Sequence, residues 1–457
     1  MSRHRRTVAA LGGLVAAALL AAGCSASGAA ASGTGSGASG TGSGAAGTGS
    51  GAAGQGGTGA GGDWPLHVPL ATSVASAAHL FAAVPMGRLG QPLETFWQLL
   101  VRPLGSGGSG GPGGSGGPGG SGGSGASGGS GWADRSALGV ATNGGLILAP
   151  TGSGSLAVGT RPANRLQFST LEVTADAGSS WSALAPVGAL VDDVSALGSL
   201  GAPGTGAVTG SAGAGAARPG GVLALVSHDG GEEVLAVAPG GTSATTLVTS
   251  SALAATPAGR ACAISSLDAV AGSSAGPLVG GTCTRRGKVG LFVRSGGVWA
   301  LSALALPPGV SGEVQVVALF GSGSEVTAVV AVRGRTGVTL LAYRESGEGS
   351  WAVSPPLELG RAPHLVSLGE ARRDGVFVLW SGGSPVLQAS VLGSPRSPWQ
   401  SLPPAPAGTA TLAEAASGPA EALAVHGTRL DVYRLSGSGT WSDIQHLNVP
   451  IEFGSSG

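Results

Sequence analysis

Asp192-Asp193 is the densest pair of acids in a run of short apolar segments, and Asp268, Glu313, Glu370 and Glu414 hold comparable places on others. Carboxylates that face one another across a site can do general acid/base work, one holding a proton while the other stays ionised. Neighbouring residues on a strand point to opposite faces, so only one of Asp192 and Asp193 can face a shared site. The plainer reading makes all six solvated charges. Tyr343 and Tyr433 are the only tyrosines, each just before a Gly/Ser turn, where packing suffices to explain them. Gly272-x-Ser274-x-Gly276 has the spacing of a hydrolase nucleophile elbow, but no helix follows it, so the strained strand-to-helix turn is missing. His4, His67, His79, His228, His364, His426 and His446 form no metal-ligand spacing. Matches to GxGxxG fall in Gly/Ser tracts and carry no information. Arg285-Arg286-Gly287-Lys288 reads as a small basic hairpin tip. No catalytic residue, cofactor or metal ligand is assigned.

Charge gives no further function. Lys+Arg and Asp+Glu balance at 23 each, so no basic face is expected for neutralising phosphates, and nucleic acid is not an expected partner. Nearly all the cations are Arg; Lys288 is the sole lysine. The N-terminus is more informative. MSRHRR is a positive n-region and TVAALGGLVAAALLAA an apolar h-region of signal-peptide length. Leu20-Ala21-Ala22-Gly23-Cys24 resembles the lipobox of bacterial lipoproteins. The resemblance implies a signal peptide over 1–23, cleavage before Cys24, lipidation of Cys24 with palmitate among its acyl chains, and a home on the outer face of the cell membrane. Arg5-Arg6 leaves twin-arginine export open beside the general route. Residues 24–62 are almost wholly Gly, Ala, Ser and Thr, a composition that buries no apolar surface and makes a flexible tether spanning roughly 30–37 Å.

The elements that would position any site are strands. EVQVVALF (313–320), EVTAVVAV (325–332) and VTLLAYR (338–344) have strand length and β-branched content, with turn residues between them. No stretch of twelve residues holds a helical period. A repeat runs through the chain: an apolar strand, a Gly/Ser turn, then a strand opened by tryptophan. Trp132, Trp181, Trp299, Trp351, Trp399 and Trp441 occupy this position, six of the nine tryptophans. A further copy, LALVSHDGGEEV, puts Val234 there.

Thr174-x-Asp176-x-Gly178-x-x-Trp181 and Ser227-x-Asp229-x-Gly231 resemble the Asp-box, or BNR repeat, of sialidase-like β-propellers. In that family the turn joins the third and fourth strands of each blade; the Asp accepts backbone N–H groups, the Gly supplies positive φ, and the Trp covers the seam between sheets. The resemblance implies an all-β, seven-bladed propeller of four-stranded antiparallel blades over 63–450, with the Gly/Ser tract 105–131 inserted in the last hairpin of the first blade and 451–457 as a tail. The alternative is six blades plus a small N-terminal segment. Cys262 and Cys283 are expected on the first and second strands of the fourth blade, bridged by a disulfide as befits an oxidising compartment. The family also implies glycoside hydrolysis, which needs an arginine cluster, a tyrosine nucleophile with a glutamate partner, and an aspartate acid/base. The Arg-Ile-Pro signature is absent, and Arg102-Pro103 lies on a third strand. The expectation is therefore a lipid-anchored binding or scaffold protein for an extracellular protein or glycan. A divergent hydrolase and an assembly factor for a membrane complex are the alternatives.

Overall fold

The computed structural model describes residues 64–67, 71–87, 95–104, 131–136, 144–161, 169–197, 221–229, 231–238, 244–321, 326–345, 350–371, 375–382, 386–394, 396–415 and 420–449. The signal peptide, Cys24, the tether, residues 105–130 of the Gly/Ser tract and the tail lie outside them.

The chain is all-β and runs as consecutive antiparallel meanders. The first sheet holds β1 (Ala71–Ala75), β2 (His79–Gly87), β3 (Thr95–Pro103) and β4 (Ala133–Asp134). Then come β5 (Gly145–Pro150), β6 (Leu156–Arg161), β7 (Ser169–Thr174) and β8 (Ser182–Val187). The next meander is β9 (Leu190–Ala196), β10 (Val222–His228), β11 (Gly231–Val237) and β12 (Ala244–Thr249). Two short helices, α1 (Ser250–Ala255) and α2 (Pro257–Cys262), lead to β13 (Ile264–Ser273), β14 (Gly276–Cys283), β15 (Gly290–Ser295) and β16 (Val298–Leu301). β17 (Glu313–Phe320), β18 (Thr327–Arg333), β19 (Val338–Glu345) and β20 (Trp351–Val353) follow, with β21 (Leu357–Gly360) also on β19. β22 (His364–Ala371), β23 (Gly375–Ser381), β24 (Gln388–Leu392) and β25 (Gln400–Leu402) precede the last meander, β26 (Thr409–Ala413), β27 (Glu421–His426), β28 (Arg429–Leu435) and β29 (Trp441–Asn448). β3 and β4, on either side of the Gly/Ser tract, pair in one hairpin.

Apolar residues fill both faces of the middle strands, which is why those segments read as continuous hydrophobic runs. On β10, Val222, Ala224 and Val226 pack toward the preceding sheet, while Leu223 and Leu225 pack toward the following one. Every sheet shares a core with the next. The last such core joins Leu80, Ala82, Val84 and Leu100 of the first sheet to Leu423, Leu430 and Val432 of the last, closing the chain on itself as a β-propeller. Each of the six tryptophans packs at the seam between its own sheet and the one before. Trp132 and Trp299 are buried there, and Trp181, Trp351, Trp399 and Trp441 are half-buried.

The structure corrects two placements. Ser227, Asp229 and Gly231 lie at the turn between β10 and β11, the second and third strands, so this copy is not a third-to-fourth-strand turn, and Val234 lies inside β11. The shared Ser-x-Asp-x-Gly spacing marks a tight turn of either kind. Cys262 ends α2 and is not on a first strand; its partner Cys283 ends β14, with Cα atoms 5.2 Å apart in the disulfide. Both helices escape a search for amphipathic periods because each has six residues. Thr249 and Thr256 cap them, accepting from Ala252 N and Gly259 N.

The inner strands set the centre. β9, β13, β17, β22 and β26 each carry a bulge against the second strand of their sheet. β1 and β22 pair in parallel, Ala71 opposite Ser367 and Ser73 opposite Gly369, and β26 packs behind them. Ser73 Oγ donates to Leu412 O at 2.5 Å, and the hydroxyls of Ser367 and Thr411 lie 2.6 Å apart. Gly369 permits this approach, because a Cβ there would stand 2.4 Å from Ser73 Oγ and 2.9 Å from Leu412 O.

Candidate functional site

The Asp-box at 174–181 forms the β7–β8 turn. Asp176 Oδ1 accepts from Ser180 N and Thr174 Oγ1, both at 2.8 Å, and Asp176 Oδ2 accepts from Ser180 Oγ at 2.6 Å. Thr174 Oγ1 in turn accepts from Gly178 N at 2.8 Å. Positive φ at Ala177 (56°) and Gly178 (84°) turns the chain. The hydrogen bonds from Ser180 and Thr174 hold the Asp176 carboxyl down at about 2. Every oxygen is committed to the turn, and the residues are structural.

At the centre, residues of β1, β5, β9, β13, β17 and β22 line a cavity of about 60 Å³, with Asp192, Asp193 and Asp268 among them. A bulge falls at this point: Asp193 pairs with Leu225 and Val191 with Val226, leaving Asp192 as the extra residue. Asp192 then ion-pairs with Arg161, whose Nε also donates to Val191 O at 3.0 Å. Asp193 links two sheets, accepting from Val194 N at 2.9 Å and from Val270 N on β13 at 2.8 Å. Asp268 accepts from Thr282 Oγ1 at 2.7 Å and Ser266 Oγ at 3.0 Å. Desolvation raises Asp193 to about 7 and Asp268 to about 6, against the pull of their hydrogen bonds. A cavity of about 60 Å³ admits a few waters and no sugar ring.

The remaining acids do not join them. Glu313 pairs with Arg333 where β17 begins, Glu370 accepts from Ala75 N at 3.2 Å near the end of β22, and the backbone carbonyl of Glu414 accepts from Arg102. Tyr343 lies on β19, where its hydroxyl donates to Ala305 O at 3.0 Å and burial pushes its pKa up. Tyr433 lies on β28 against another seam, and Ser274 sits in the two-residue turn between β13 and β14. Among the described residues, no group of three or more His, Cys, Asp or Glu is placed to hold a metal.

Beyond the acids the centre widens into a mouth of about 520 Å³. It is walled by the C-terminal ends of β1, β5, β9, β17 and β22 and the loops after them. Among the described lining residues, Thr151 and Ser153 bring hydroxyls, the Ser76 hydroxyl donates to Ser153 O at 2.8 Å and the Ser195 hydroxyl accepts from Gly272 N at 3.3 Å, and Glu370 is the one carboxylate. The Thr151 hydroxyl is buried with no protein partner.

Two charged clusters escaped the sequence reading. Glu421, fully buried on β27, accepts from Arg102 Nη1, from Trp132 Nε1 at 2.9 Å, and from Arg434 Nε and Nη2 at 3.1 and 2.9 Å. Arg102 is 1% exposed and lies 5.2 Å over the Trp132 ring. This network spans the seam between the first and last sheets, so Arg102 is a strut and not a substrate ligand. On the last sheet, Arg429 clasps Asp431 at 2.6 and 2.8 Å and His446 Nδ1 lies 2.7 Å away, and these hydrogen bonds hold Asp431 at about 2. The first set is brought together from distant places in the chain by packing between sheets, and the second lies on the β28–β29 hairpin, where register sets His446 beside Asp431.

No protein-family model matches the sequence, and none of the curated proteins compared with it matches. Among solved structures the chain is similar to a putative 6-phosphogluconolactonase from Bacteroides uniformis, at 11% identity and a TM-score of 0.44, covering 81% of this chain and 97% of that one. It is similar to a lectin from Burkholderia pseudomallei at 12% identity and a TM-score of 0.44, covering 83% and 100%. It is also similar to the six-bladed β-propeller lectin of Aleuria aurantia at 12% identity and a TM-score of 0.35, covering 84% and 96%.

Proposed function

We propose that this protein is a lipid-anchored, extracytoplasmic binding protein: a degenerate Asp-box propeller of seven blades that presents its mouth to a small hydroxyl-rich ligand of the glycan class. One observation carries the reading. The acids at the centre are consumed as struts around a space of about 60 Å³, while the mouth beyond them offers about 520 Å³ lined by hydroxyls, within the usual range for a small-molecule site. Hydrolysis needs two carboxylates flanking a bond with room for the sugar. Binding needs hydroxyls, a buried acceptor and a preformed wall, which the mouth has. The seven-blade count is supported by the shared cores between successive meanders and by the closing seam at Glu421. The position of β26 behind the β1–β22 pair accounts for a channel wall of six strands in a ring of seven. Anchoring rests on the Leu20–Cys24 motif.

A glycan array probed with the mature protein, run beside a generic glycosidase assay, tests this. Binding without product release is expected, weakened at least tenfold by Glu370→Gln or Thr151→Val. Release of sugar, or binding indifferent to both substitutions, contradicts it.

A further inference from the structure

The propeller face opposite the mouth carries an excess of positive charge that the neutral composition hides. One groove of about 840 Å³ lies between the sheets of β14 and β17; of the 23 cations three belong to its lining, Arg285 and Lys288 flank the lining pair Arg286-Gly287 in the chain, and Arg361 follows three residues after the lining residue Glu358. Arg286, Arg333 and Arg335 line it directly, along with Gly287, Gly309, Gly312, Gly334 and Gly337. The turn bearing Arg285, Arg286 and Lys288 is fixed to the start of β17 by Gly287 N donating to Gly312 O at 3.1 Å. Arg361 follows Gly360, whose carbonyl stands 2.3 Å from where a Gly337 Cβ would be. Among the described residues two acids line the groove, and both are engaged: Glu313 with Arg333, and Glu358 with Thr339 Oγ1 at 2.9 Å. Arg285, Arg286, Lys288, Arg335 and Arg361 are all exposed.

The chain enters the fold at this same face. Trp64 stacks under Arg333, whose guanidinium carbon lies 5.1 Å from the ring centroid. Leu66 is pinned to β17 through both its N–H and its carbonyl, at 2.8 and 3.0 Å from the Gln315 amide. The described chain thus starts, at Trp64, on the side of the domain where these cations gather. The groove begins where β17 begins and the mouth lies where β17 ends. That separates them by about 23 Å at roughly 3.3 Å per residue.

Resting on the anchored reading above, we infer that the groove rimmed by Arg286, Lys288, Arg333 and Arg335 docks on the phosphates of anionic lipid headgroups, turning the mouth away from the bilayer. Gly-lined walls leave room for a phosphate to come close, and the rim arginines supply charge-assisted hydrogen bonds. Each such cation strengthens surface partitioning about fivefold, the equivalent of about 1 kcal/mol, and the effect fades within a Debye length of roughly 10 Å at 0.1 M salt.

Lys288, the sole lysine, makes a built-in reporter. The lipidated protein is reconstituted on vesicles of phosphatidylcholine alone and of phosphatidylcholine mixed with phosphatidylglycerol. Flotation and the rate of amine acylation at Lys288, read by mass spectrometry, are followed together. Flotation on both vesicles, with Lys288 protected at least tenfold only on the anionic ones and released by high salt, is expected. Arg286→Glu with Arg335→Glu should abolish protection and leave flotation intact; the paired Gln variant should fall between. Flotation without charge-dependent protection overturns the docking while sparing the anchor. Flotation and protection confined to anionic vesicles overturn the anchor and uphold the docking. Equal protection by soluble glycerophosphate assigns the groove to a small anion and overturns the surface reading.

Discussion

Glu421 is the residue on which closure of the chain most depends. It is fully buried, accepts from four donors on three side chains, and ties β27 of the last sheet to β3 and β4 of the first. Glu421→Gln removes the anion and leaves the Arg102 guanidinium, 1% exposed, beside a neutral amide whose NH2 opposes its donors. Removing one partner of a buried pair costs about 3–5 kcal/mol. Arg102→Met leaves Glu421 still held by Arg434 and Trp132 and should cost less, about 2–3 kcal/mol. The double variant should regain about 1–3 kcal/mol relative to the sum, because the uncompensated charge disappears. Urea unfolding of wild type, both single variants and the double, followed by tryptophan fluorescence, gives the coupling. Single costs below about 1 kcal/mol, or strict additivity, would refute the assignment of this network as the clasp of the ring.

Asp193, raised to about 7, contributes stability that is full below its unfolded value of 3.8 and is lost as pH rises through about 7; Asp268 acts with the same sign up to about 6. Asp193→Asn should flatten the fall of stability between pH 4 and 7 while lowering the value at pH 4, since one of two N–H donors loses its acceptor; unfolding midpoints across that range test this. Asp176→Ala should cost about 1–2 kcal/mol by freeing the Ser180 and Thr174 donors, with faster hydrogen exchange confined to the β7–β8 turn. Gly369→Ala should cost about 1–3 kcal/mol, because its Cβ meets Ser73 Oγ and Leu412 O, and Ser73→Gly in the same chain should recover part of that in a thermal melt.

The strands were legible because they alternate between two buried faces and are punctuated by turn residues. The tryptophans were legible because six of the meanders, all but β9–β12, set one indole at the corresponding seam. The 174–181 turn is held by hydrogen bonds among near neighbours in the chain, the kind of structure a short motif can encode. The 227–231 turn was misplaced because Ser-x-Asp-x-Gly specifies a tight turn without saying which strands it joins. Long-range geometry was not legible. The bulge at Asp192 depends on register against β10, and the Arg102–Glu421 contact joins residues 319 apart in the chain. The basic groove was hidden for the same reason: Arg285 to Lys288 reads as a solvated tip until Arg333, Arg335 and Arg361 are folded beside it.

The most direct measurement is a crystal structure of the protein. It should show the Arg102 guanidinium of the first sheet on the Glu421 carboxylate of the last, Trp132 Nε1 on the same carboxylate, and β26 set behind a β1–β22 pair. An open seam with Trp132 in solvent, or a first sheet packed elsewhere than on β27 and β28, would contradict the closed ring on which the mouth, the groove and their opposite placement rest.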